Sequence, residues 1–116
     1  MKTSIALLFA ASAVCTSVAF AQDAAVVSPK NFKVLGENDK VRVLEYTAKK
    51  GDKMGMHSHP SIACYALKAG RTKYTMPDGT TSERSSKKGE VLLRDPVTHA
   101  QQALSDSHAI CMELKK

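Results

Sequence analysis

The chain has 116 residues, with 17 Lys and Arg against 11 Asp and Glu, a formal charge of +6, four His, three Cys and no Trp. Its basic residues are scattered from Lys30 to Lys88 without an aromatic-interleaved cluster, so no nucleic-acid partner is expected and the excess charge reads as a solvated basic surface with a weak preference for anionic ligands. The length allows one hydrophobic core and excludes a multidomain architecture.

The first residues read as an address. Lys2 precedes an apolar run from Ile5 to Ala13, and Ala19-Phe20-Ala21 supplies the small-x-small pattern of a secretory cleavage site. The run is interrupted by Ser12, Thr16 and Ser17 and falls short of the roughly 20 apolar residues of a membrane span. Cys15 follows Val14, where a lipid-modified signal needs a small residue, so it is expected to leave with the leader. Residues 1–21 are therefore read as a signal peptide, and the mature protein as periplasmic or secreted with no stable membrane anchor. Residues 22–30, small and polar with Pro29, are expected to be a flexible N-terminal arm or a strand exchanged with a partner, and residues 31–116 one domain.

From Asn31 onward, short β-favouring runs alternate with turn chemistry and no long 3.6-residue period occurs. Strands are predicted at Phe32–Leu35, Val41–Thr47, Met56–His59, Ile62–Lys68, Thr72–Met76, Thr80–Ser85, Glu90–Arg94, Thr98–Leu104 and His108–Leu114. Asp78-Gly79 predicts a type I′ hairpin, because this pair supplies the positive φ angles that turn requires. The fold class is all-β, a sandwich or barrel.

Three of the four histidines fall on two of these strands. In Met56-His57-Ser58-His59 the two-residue period of a strand points His57 and His59 to one face, where they can grip one ion. His99 lies forty residues downstream of His59, on another strand. No GxSxG elbow, phosphate-cradling glycine loop, HExxH helix or CxxC pair competes with this constellation.

Gly51-x5-His57-x-His59-x3-Ala63-x6-Gly70 resembles the first motif of the cupins, with Ala63 where that motif has glutamate. Gly89…Pro96-x2-His99 resembles the second motif more loosely, with Pro96 in place of glycine and Ala103 at the position that is often asparagine. The resemblance runs over residues 32–115 and implies a single-domain cupin jelly roll with a metal in its mouth. His57-Ser58-His59-Pro60, Tyr65-Ala66-Leu67, Pro77-Asp78-Gly79 and Glu113-Leu114-Lys115 are further similar to small cupins of the beta-alanine-degradation type.

The implied site is one divalent ion, Fe, Zn, Cu, Ni or Mn, on His57, His59 and His99. Three neutral imidazoles without a carboxylate leave open positions for water, dioxygen or an anion. The function expected is an oxygenase-type enzyme on a small organic substrate, or else a non-catalytic module that binds a small ligand or metal; homodimerisation through an exposed sheet is also expected.

Counting parity onward from His59 turns Ala63, Tyr65 and Leu67 toward the pocket and Cys64 away from it. Tyr74 and Gln101 are expected to line the pocket as well, while an anionic ligand would be met by Arg42, Arg71 or Arg94, all otherwise surface residues. Cys64 also resembles the cysteine just past the missing glutamate in thiol dioxygenases, a comparison its outward parity weakens. In a jelly roll the strand of Cys64 pairs with that of Cys111, which implies either a disulfide on the outer surface or two buried free thiols. Met56 is expected to face outward, and His108 to lie on the surface.

Overall fold

The computed structural model describes residues 22–116; the signal peptide expected at 1–21, with Cys15, lies outside them. Alternating apolar and polar residues produce nine strands, each where a short β-favouring run was expected. They are β1 (Phe32–Glu37), β2 (Val41–Ala48), β3 (Lys53–His59), β4 (Ile62–Lys68), β5 (Gly70–Thr75), β6 (Thr81–Ser86), β7 (Val91–Arg94), β8 (Val97–Ala103) and β9 (Ser107–Leu114).

These strands build two antiparallel sheets, ordered β1-β2-β9-β4-β7 and β3-β8-β5-β6, and so a jelly roll of two packed layers. The order inserts β9 between β2 and β4, and β8 between β3 and β5. As a result His99 stands directly opposite His57 in the β3–β8 ladder. Leu44 and Tyr46 of β2, Met54 of β3, Ile62 of β4 and Phe32 of β1 form the apolar core between the layers. Phe32 lies 5.1 Å from the Tyr46 ring and meets His57 and His59 edge-on at 5.4 and 5.6 Å, so the core runs directly into the imidazoles.

The β3–β8 register shifts between Met54 and His57. This bulge turns two residues three apart, Met54 and His57, to the same buried face and leaves Gly55 and Met56 outside.

Four expectations are corrected. Residues 22–30 are not a free arm. Asp23 caps the short helix α1 (Ala24–Val27) by accepting from the Ala25 N–H at 2.8 Å, and Ala24 is fully buried. The helix packs on β3, where a Cβ at Gly55 would come within 3.3 Å of Val27. Residues 22–30 are therefore part of the folded unit together with those from Asn31 onward.

The hairpin after β5 is not type I′. Only Gly79 takes a positive φ, 88°, and the loop closes by Gly79 N–H donating to the Met76 carbonyl and Met76 N–H to that of Thr80. Pro77 has no N–H with which to close the tighter two-residue loop.

The phase of β4 is the reverse of that counted from His59. Ile62, Cys64 and Ala66 point inward, whereas Tyr65 and Leu67 are exposed and Ala63 lies on the outer face with them. The chain turns at Pro60-Ser61, and a two-residue turn resets the alternation. Cys64 and Cys111 consequently meet on the inner face, as cross-strand partners joined by a disulfide.

That bond spans 47 residues, and the chain-entropy view assigns such a loop about 4 kcal/mol. Reduction, or the double replacement Cys64→Ala and Cys111→Ala, is expected to lower the thermal midpoint markedly. A midpoint indifferent to reductant would show that the sheets hold the fold without the bond.

Candidate metal centre

His57 and His59 come from β3 and His99 from β8, and their ring centroids are 4.8, 5.0 and 5.5 Å apart. All three are buried, and one ring nitrogen from each lies within 4.8 Å of the others. Three basic side chains converge in the interior, and His99 Nε2 is buried there without a hydrogen-bond partner.

The outer nitrogens are held. His57 Nδ1–H donates to the Gly55 carbonyl at 2.7 Å, the carbonyl that the bulge turns toward it. The proton on Nδ1 leaves the Nε2 lone pair free, with the Gln101 amide 3.0 Å away and only its NH2 group able to face a bare nitrogen.

His59 Nδ1–H donates to Glu113 Oε2 at 2.7 Å. Glu113 Oε1 accepts from Arg42 Nε at 2.8 Å, and Arg42 forms a fork with Asp23, Nη2 to Oδ1 at 2.9 Å. A carboxylate behind a histidine fixes its tautomer and raises its basicity toward a metal.

His99 differs from the other two. Arg94 Nη1 donates to its Nδ1 at 3.1 Å, while Nε2 is buried without a partner. The Gln101 amide approaches His99 without completing a hydrogen bond to that nitrogen.

Charge follows the same layout. Burial pushes the His99 imidazole down to about 3, helped by His57, His59 and Arg94. Burial also lowers His57, with His59 adding to it against the Gly55 hydrogen bond. Burial alone would raise Glu113, yet the hydrogen bonds from His59 and Arg42 outweigh it and hold the carboxyl below its ordinary value. Burial therefore favours the neutral form of His57 and His99, and an ionised carboxylate backs His59. Divalent first-row ions favour such a donor set, and His99 Nε2 is buried without a hydrogen-bond partner; the residues fit a metal ion.

Comparison with known proteins bears on the fold. No family model matches the chain, and no curated protein matches it. Solved structures do: a cupin domain from Bordetella pertussis Tohama I aligns with a TM-score of 0.65 at 20% identity, over 73% of this chain and 92% of that one. The chain folds as a cupin. An RmlC-like cupin with a double-stranded β-helix fold from Methanocaldococcus jannaschii aligns at TM-score 0.58 and 14% identity, over 72% and 78% of the two chains. KdgF from Halomonas sp. aligns at 0.53 and 16%, over 73% and 79%.

Within this cupin fold, His57 and His59 share one face, as their spacing predicted, and His99 joins them, as the resemblance implied. A cavity of about 100 Å³ opens beside them, and Tyr74 and Gln101 line it as expected. Ala63, Tyr65 and Leu67 do not; Cys64 and Ala66 take their place. Of the arginines considered, Arg94 reaches the cavity, Arg42 is committed to Glu113 and Asp23, and Arg71 pairs with Glu83 on the surface. His108 is half-buried at the cavity wall and pairs with Glu45 at 2.9 Å.

Sequence reasoning missed Glu113, Arg42 and Asp23 as one unit, together with the Gly55 carbonyl. The available signal was a lone acidic residue in an apolar strand, two residues from Cys111.

Two outcomes follow from this geometry. Glu113→Gln puts an amide NH2 opposite His59 Nδ1, which favours the tautomer with its proton on Nε2 and blocks that ligand. Zinc affinity measured by chelator competition should fall about 10- to 100-fold, and an unchanged affinity would remove Glu113 from the centre.

The metal-free protein should lose stability as pH falls. Free histidine titrates near 6.5, whereas folded His99 titrates near 3 and His57 also below 6.5. Between those values the unfolded chain binds more protons, so stability is complete above pH 6.5. It declines below that pH by up to about 1.4 kcal/mol per pH unit for each histidine. Denaturation midpoints of chelated protein that stay flat from pH 7 to 5 would contradict this.

Proposed function

We propose that the protein is an exported cupin that holds one divalent metal ion with His57, His59 and His99 and acts on a small organic molecule in the adjoining cavity. One observation carries the reading: the buried, unpartnered His99 Nε2 faces two further imidazoles whose outer nitrogens are already held. Bound there, an ion would supply Lewis acidity at open coordination positions and, if iron or copper, dioxygen chemistry.

The chain's own residues do the rest. Gly55 and Glu113 hold the His57 and His59 tautomers, and Phe32 excludes water from the rear of the imidazoles. Gln101 and Tyr74 border the space where a ligand sits.

Export is supported by the leader-like residues 1–21 and by the Cys64–Cys111 disulfide, a bond suited to an oxidising compartment. Pairing with a second copy is supported by Tyr65, Leu67, Leu93, Met112 and Leu114, apolar residues exposed on β4, β7 and β9 of one sheet. A non-catalytic binding module is the second reading, favoured by a cavity of only about 100 Å³.

Elemental mass spectrometry of untagged mature protein tests the proposal. About one iron, copper, zinc, nickel or manganese per chain is expected, lost in His57→Ala, His59→Ala and His99→Ala and kept in His108→Ala. Equal loss in His108→Ala, or metal far below stoichiometric after reconstitution, would overturn it. A redox-active metal favours the oxygenase-type enzyme, and zinc favours the binding module.

A further inference from the structure

Three buried side-chain polar atoms among the described residues lack a hydrogen-bond partner: Tyr46 Oη, Arg84 Nε and His99 Nε2. They come from β2, β6 and β8 in different sheets, yet all three residues line the one cavity beside the imidazoles. An unpaired buried polar group is destabilising. Three around a single hole mark the positions where a ligand supplies the missing atoms.

The charges say which ligand. The chain has four arginines. Arg42 is paired with Asp23 and Glu113, and Arg71 with Glu83. Arg84 and Arg94, in no ion pair among the described residues, are the two that line the cavity. Lys68 and Glu90 also border it, which leaves the lining net cationic.

Arg94 lies with its guanidinium carbon 4.4 Å from the centre of the Tyr74 ring, a stacking that orients the planar fork. Its acceptor in this arrangement is His99 Nδ1. An ion held at Nε2 requires the His99 proton on Nδ1, which turns that acceptor into a donor and frees Arg94 for an anion. Tyr46, 8% exposed, keeps its hydroxyl proton because burial pushes the phenol up to about 12, and the neighbouring Thr72 hydroxyl does not complete a hydrogen bond to it.

We propose that the cavity binds a small organic carboxylate, its anionic end held by Arg84, Arg94 and the Tyr46 hydroxyl and its apolar body lying against Phe32, Ile62 and Tyr74. Two arginine forks match a planar carboxylate, and the aromatic wall accounts for an organic body rather than an inorganic anion. A cavity of about 100 Å³ is smaller than one of about 150 Å³ that takes benzene, which limits the ligand to about four or five non-hydrogen atoms. This inference rests on the proposed function in taking the cavity as the working site, and names the substrate class for it.

Titration calorimetry on the mature protein, zinc-loaded and chelated, tests this with propanoate as the probe and propanamide and butylammonium as neutral and cationic controls of the same size. One-site propanoate binding is expected, at least tenfold tighter than either control and weakened at least tenfold in Arg84→Gln and Arg94→Gln. Arg84 is outside the cluster of three histidines, so Arg84→Gln should keep its zinc. Tyr46→Phe should weaken propanoate several-fold yet raise the thermal midpoint of the ligand-free protein, a combination that a purely structural hydroxyl would not give.

Propanoate that binds no better than propanamide, or equally well in the arginine variants, overturns the carboxylate site and leaves the metal reading standing. Propanoate binding without zinc uptake supports the carboxylate site and removes the metal reading.

Discussion

Glu113 is the constraint on which the centre of this protein depends. A carboxylate 2% exposed is costly to bury unless every lone pair has a donor. Its donors are His59 on one side and the Arg42 guanidinium on the other, and Asp23 accepts from that same guanidinium. The chain ties together β9, β3, β2 and the N-terminal segment, elements from both sheets. It also explains why residues at the start of the described chain lie down on β3: Asp23 is needed at Arg42, and the Gln22 carbonyl accepts from the Ser58 N–H next to the histidines.

With that carboxylate behind His59, the absence of glutamate at Ala63 has a structural counterpart. The acidic group sits behind a histidine, where it orients and polarises the ring and keeps out of reach of an ion held by the three imidazoles. The ion would then keep its full charge toward the cavity, next to two arginines that are themselves without counterions. An anion in that cavity would meet positive charge on two sides and an aromatic wall on a third. The disulfide lies on the same inner face and clamps β4 to β9, the strand that carries Glu113, so the bond that stiffens the sandwich also steadies the carboxylate.

All nine strands were legible in the sequence, because each is a short β-favouring run bounded by Gly, Pro, Asn or Asp. The facing of His57 and His59 was legible too, since two residues apart on one strand needs only local geometry. The inward face of β4 was not, because parity does not survive the turn at Pro60-Ser61, and Cys64, Tyr65 and Leu67 all changed sides together. The hairpin at Asp78-Gly79 was misjudged locally, where the missing N–H of Pro77 outweighs the preference of the Asp-Gly pair.

By itself, then, the sequence determined the all-β class, the strand positions and the shared face of His57 and His59, all of which depend on residues close together in the chain. Tertiary structure alone decided that Glu113 backs His59, that Arg84 and Arg94 rather than Arg71 face the cavity, and that the cysteines bond on the inner face. Those outcomes depend on which strands become neighbours and on how two sheets stack. The register of β9 between β2 and β4 is set by the summed packing of the whole sandwich, and no local pattern carries it.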